Sequence, residues 1–100
     1  MTPEGKVKKQ VKAILDYFGV YYFFPATGGY GRSGVPDIVA CYKGRFIGIE
    51  VKAGDNQPTA LQQRELAMIN KRGGIGVVVN ETKLDKLHDL FSGLTENQKV

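Results

Sequence analysis

Asp37, Glu50 and Lys52 are the residues of this chain whose types and spacing could do chemistry together. They sit within Gly34-Val-Pro-Asp-Ile-Val-Ala-Cys-Tyr-Lys-Gly-Arg-Phe-Ile-Gly-Ile-Glu-Val-Lys52, where two apolar, β-branched runs flank Lys43-Gly44. That pattern predicts a β-hairpin with a two-residue turn. A symmetric turn pairs positions whose numbers sum to 87, setting Asp37 across from Glu50 with Lys52 two residues along on the same face. Like charges opposite each other destabilise a sheet unless something sits between them, and a divalent cation is the obvious candidate. Mg2+ typically takes one or two carboxylates and fills its other positions with water and substrate phosphate. Lys52 would then orient or deprotonate an attacking water, or neutralise charge developing on a phosphate. The bland alternative is a surface ion-pair cluster on a half-exposed sheet, which is common and contributes little.

The alternation of the hairpin assigns two faces. Ile38, Ala40, Tyr42, Ile47, Ile49 and Val51 form an unbroken apolar set and are expected to face the core. Asp37, Val39, Cys41, Phe46, Gly48, Glu50 and Lys52 share the other face, with the charges gathered at the end away from the turn. Gly48, opposite Val39, leaves room beside them. Cys41 is expected to be a small buried hydrophobe. As the lone cysteine it excludes a disulfide framework and a zinc cluster.

The remaining elements must position that face. Thr2-Pro3-Glu4 reads as a helix start, with Thr2 as N-cap and Glu4 in the first turn. Val7, Val11, Ile14, Leu15 and Phe18 form its apolar stripe, and Gly19 is a plausible C-cap. Val20 to Phe24 predicts a short aromatic strand closed by Pro25. The loop from Ala26 to Gly34 holds four glycines. Its Gly29-Tyr-Gly-Arg-Ser-Gly34 matches a dinucleotide fingerprint in form only, because Pro36 and a strand follow where that fingerprint needs a helix. No nucleotide cofactor is expected. The loop instead offers Tyr30, Arg32 and Ser33 to a nucleic acid. Thr59-Ala-Leu-Gln62 fits a capping box opening a helix to about Arg72, with Leu61, Leu66, Met68 and Ile69 as its apolar side. Ile75 to Val79 predicts a strand covered on both faces, and Leu84, Leu87, Phe91 and Leu94 a final helix before a frayed tail from Thr95. The order is α-β-β-β-α-β-α, an α/β fold with a mixed sheet flanked by helices, in one domain over 1–100.

Pro36-Asp37, twelve intervening residues, and Glu50-Val51-Lys52 on adjacent strands resemble the PD-(D/E)XK nuclease signature. The leading helix with its early Glu, the Gly-x-Pro-Asp approach to the hairpin, Glu-Val-Lys, and a later helix opening Thr-x-x-Gln resemble the VRR-NUC family over nearly the whole chain. This would be a stand-alone minimal version of the kind carried by phages. The resemblance implies a restriction-endonuclease-like fold, with metal ligation by Asp37, Glu50 and the Val51 carbonyl, support from Glu4, and catalytic roles for Lys52 and Gln62. Gln62 is preferred to Gln63 for its eleven-residue distance to Gly73. Without the resemblance, Glu4 could serve only the helix dipole and Gln62 only the cap. His88 stands alone on the last helix and is expected to be structural or solvated.

The net charge of +4 favours a polyanionic partner without requiring one. Lys6 and Lys9 of the first helix are candidate DNA contacts, or simply a solvated face. No apolar run approaches a membrane span, and lysines break the N-terminal region where a signal peptide's apolar core would lie. The expectation is a cytoplasmic protein, in the host cytoplasm if phage-encoded. The activity expected is that of an Mg2+- or Mn2+-dependent endodeoxyribonuclease that reads DNA shape rather than sequence. The resemblance implies branched or nicked DNA, such as Holliday junctions, as substrate, and a homodimer. Two alternatives remain: a DNA-binding module with a catalytically silent site, and a basic structural protein.

Overall fold

The computed structural model describes residues 1–26 and 31–97, and Tyr30 falls outside them. The elements are α1 (Pro3–Phe18), β1 (Tyr21–Phe23), β2 (Ile38–Tyr42), β3 (Arg45–Val51), α2 (Ala60–Lys71), β4 (Ile75–Val79) and α3 (Leu84–Asn97). This is the expected order. The strands lie in the order β1-β2-β3-β4, with two antiparallel pairings and a parallel one between β3 and β4.

The hairpin has the register that its turn demands. Ile38 pairs with Ile49 and Tyr42 with Arg45, each summing to 87. Lys43 and Gly44 both have positive φ, 52° and 78°, as a two-residue turn of mirror-image type requires. Ile38, Ala40, Tyr42, Ile47, Ile49 and Val51 are all buried, packed with Val7, Val11 and Leu15 of α1 and Leu87, Phe91 and Leu94 of α3. The sheet's first face is therefore closed by α1 and α3.

α2 lies on the second face. A Cβ on Gly48 would stand 2.7 Å from Ile69 Cδ1 and 2.8 Å from Pro36 Cγ, and one on Gly76 would stand 2.7 Å from the Leu66 carbonyl. The missing side chain at Gly48 thus admits Ile69 and Pro36 rather than leaving space beside the acids. The helix opens with the capping box: Thr59 Oγ1 accepts the Gln62 amide at 3.2 Å and Gln62 Oε1 accepts the Thr59 amide at 2.8 Å. α1 opens on Thr2, whose hydroxyl accepts the Gly5 amide, and closes on Gly19 at φ 70°.

Four local expectations change. β4 is an edge strand and only partly buried: Ile75 and Val77 pack against the core and Gly76 against α2, but Val78 is 38% exposed. Cys41 is exposed, because β2 turns that position away from the core near the open turn end. Leu61 is also exposed, while the acidic Glu65 is buried in its place on α2. Thr95 belongs to α3, where its hydroxyl meets the Tyr42 hydroxyl at 2.6 Å. Among the described residues, no helix is long and apolar enough to cross a membrane.

Candidate active site

The second face of the hairpin carries Glu50 at its far end, only 1% exposed. Lys52 Nζ lies 3.2 Å from Glu50 Oε2, while Glu50 Oε1 is buried without a hydrogen-bond partner among the described residues. Burial, and then the neighbouring Asp37 charge, push the Glu50 carboxyl up to about 7; Lys52 opposes both only in part. A buried carboxylate oxygen with nothing to satisfy it is costly, and points to a further cationic ligand.

Asp37 lies just before β2, and its Oδ2 accepts the Val51 amide at 2.8 Å. Successive peptide groups of a strand point alternately to its two neighbours. Lys52 donates its amide to the Val79 carbonyl of β4 at 3.0 Å, so Val51 presents its N–H and C=O towards β2. The paired register of the hairpin ends at Ile38 with Ile49, so Val51 lies beyond the β2 ladder. There the Asp37 side chain takes the Val51 amide in place of a backbone acceptor. The Val51 carbonyl faces the same side, past the last paired residue of β2.

Two carboxylates and a main-chain carbonyl are hard oxygen donors in a number that fits Mg2+ or Mn2+. Among the described residues, no group of three or more His, Cys, Asp or Glu side chains is gathered as a metal cage. Glu4 joins the pair only through Lys8, whose Nζ lies 3.3 Å from Glu4 Oε2 and 3.8 Å from Asp37 Oδ1.

A polar cleft of about 490 Å3 opens over Asp37, between Lys8 of α1, the Gly31–Pro36 segment and Gln62 at the start of α2. Arg32 and Ser33 also line it. The Arg32 guanidinium is turned to α2, where it donates to Glu65 Oε2 at 2.9 Å. Lys6 and Lys9 are not brought to this cleft; they border a separate groove with Met1 and Glu81. His88 lies on the surface against the rings of Tyr17 and Phe18.

Lys8 and Glu65 were not assigned to the site from sequence. Lys8 had a signal, because residues four apart share a helix face and Glu4 was already placed at the site. Glu65 had none, since its partner is 33 positions away.

No family model matches the sequence, and no curated protein matches it. Among solved structures, the chain is similar to a VRR_NUC domain at 32% identity and a TM-score of 0.74, covering 89% of this chain and 97% of that one. It is also similar to Hjc, a Holliday junction resolvase of the archaeal hyperthermophile Archaeoglobus fulgidus. That likeness is one of fold, at 21% identity and a TM-score of 0.57, over 76% of this chain and 66% of that one. The element order and mixed sheet are those of the restriction-endonuclease-like fold.

Proposed function

The chain belongs to the VRR-NUC family, and from that premise we propose that it is a divalent-metal-dependent endonuclease hydrolysing DNA phosphodiester bonds. The observation that carries the reading is Glu50: a buried carboxylate with one oxygen on Lys52 and the other unpartnered, beside Asp37 at the foot of a polar cleft.

Asp37, Glu50 and the Val51 carbonyl would hold Mg2+ or Mn2+. When bound, such an ion polarises a phosphoryl oxygen and acidifies a water. The chain's own groups do the rest. Lys52, held by Glu50 at 3.2 Å, places an ammonium where negative charge develops on the phosphate or where the attacking water must be oriented. Gln62 uses its amide oxygen in the cap, which leaves its NH2 as a donor at the cleft rim. Ser33 and, once released from Glu65, Arg32 are placed to contact the DNA backbone; Tyr30 is proposed with them from sequence alone. Lys6 and Lys9 would meet a more distant phosphate in their own groove.

Selection of branched or nicked DNA is supported by the fold shared with a Holliday junction resolvase. A homodimer is supported by the exposed aromatic side chains of Tyr21, Phe23 and Phe46 on the sheet's second face, since clustered apolar surface marks association sites. Light scattering on the eluting protein tests the dimer. Cleavage of a four-way junction, a nicked duplex and a linear duplex with Mg2+ tests the activity, with Asp37→Asn as control. Metal-dependent cutting of the junction, lost in the variant, is expected. Binding without cutting would instead favour a DNA-binding module with a silent site.

A further inference from the structure

We propose that Lys8 is a positioning residue that serves as the built-in cation of this site, holding the place between Glu4 and Asp37 and limiting the centre to one divalent ion. The inference rests on the metal site proposed above. Its geometry is that of a bridge: Lys8 Nζ stands 3.3 Å from Glu4 Oε2 and 3.8 Å from Asp37 Oδ1. Glu4 and Lys8 are one helical turn apart, and the Thr2 cap with Pro3 behind it fixes where that helix begins. The bridge is therefore set by the register of α1 against the sheet rather than by a chance meeting of two long side chains.

Asp37 divides its oxygens between two duties. Oδ2 takes the Val51 amide, while Oδ1 is the oxygen that faces Lys8. Glu4 uses an oxygen on the same ammonium. A second divalent ion would need these two carboxylates, and would have to displace Lys8 to reach them. The charges point the same way. Three carboxylates, Glu4, Asp37 and Glu50, face two ammonium groups, Lys8 and Lys52, which leaves one surplus negative charge. A single divalent ion already exceeds it, and a second would add two further positive charges at close range in a partly desolvated site.

Isothermal titration of Mn2+ into the DNA-free protein tests this without reference to activity, using wild type, Lys8→Met, Lys8→Arg and Asp37→Asn. Wild type and Lys8→Arg are expected to take up one ion per chain, and Lys8→Met two. Folding of each variant is checked by its thermal midpoint without metal, and the partly exposed position of Lys8 makes a folded Lys8→Met the expected outcome. One ion in Lys8→Met at unchanged affinity, or two in wild type, would overturn the role of Lys8 and leave the metal site standing. No Mn2+ uptake by wild type, or uptake undiminished in Asp37→Asn, would instead remove the metal site itself.

Discussion

The Asp37 carboxylate accepts the Val51 amide at 2.8 Å, just beyond the last ladder pair of the hairpin, Ile38 with Ile49. One side chain thus completes the backbone pairing of β3 and supplies a charge to the proposed centre. Asp37→Ala removes both contributions. Its unpaired amide should cost about 1–3 kcal/mol of stability, so loss of cleavage in that variant would not identify a ligand. Asp37→Asn keeps an oxygen for the amide and loses only the charge. Its thermal midpoint in metal-free buffer is expected to stay near wild type, while cleavage and the Mn2+-induced rise in that midpoint disappear. An Asp37→Asn protein that still cuts DNA would move the site elsewhere.

Glu50 makes stability depend on pH in a defined direction. Its carboxyl is raised from 4.5 to about 7, first by burial and then by the Asp37 charge. The folded chain therefore holds a proton that the unfolded chain has released. The stabilisation from this group is complete below 4.5 and is lost as pH rises through about 7. At about 1.4 kcal/mol per unit, the Glu50 share amounts to a few kcal/mol. Protons and a divalent ion compete for the same oxygen, so Mn2+ should raise the thermal midpoint more at about pH 8 than at about pH 5.5. Equal shifts at both values would mean that Glu50 is not a ligand.

Gln62 joins a cap to the cleft, and the two roles separate by substitution. Gln62→Glu retains the oxygen that accepts the Thr59 amide and adds a charge that suits a helix N-terminus. It removes the NH2 donor and sets a negative charge near Asp37. Stability should hold, while cleavage falls by about tenfold or more, the loss of roughly one 1.4 kcal/mol interaction in the transition state. Thr59→Ala should do the reverse, costing about 1 kcal/mol of stability with cleavage largely kept. Chemical denaturation beside cleavage rates for both variants makes the comparison.

What could be read from sequence was what local geometry dictates. The Lys43-Gly44 turn sets the register, and a period of two then assigns every side chain of β2 and β3 to a face. The Thr2 cap and the Thr59–Gln62 box are contacts between residues three apart, so they too are written in the chain. What escaped depends on how elements stack. Cys41 shares its alternation with Glu50, yet one is exposed and the other buried, a difference that periodicity alone does not encode. An apolar run such as Ile75–Val79 fits either a central or an edge parallel strand, and only the sheet order decides. The four-residue spacing sets Lys8 beside Glu4 and apart from Lys6 and Lys9, but that this face of α1 meets Asp37 depends on how the helix stacks on the sheet.

Arg32 and Glu65 join the cleft-lining segment to α2. The Glu65 residue is 8% exposed, whereas the Arg32 side chain is 59% exposed, so the acid bears most of the desolvation. Removing the arginine strands a buried carboxylate, whereas removing both leaves no unpaired charge. Arg32→Ala is therefore expected to destabilise by about 1–3 kcal/mol, with Arg32→Ala/Glu65→Gln recovering much of the loss. DNA binding gives a second readout, because an arginine that leaves Glu65 for a phosphate contributes to the salt dependence of affinity. Both proteins lacking Arg32 should then show a shallower dependence of log K on log salt, by about one charge's worth, whatever their stability. A double variant that binds DNA with the wild-type salt slope would confine Arg32 to anchoring the Gly31–Pro36 segment on α2.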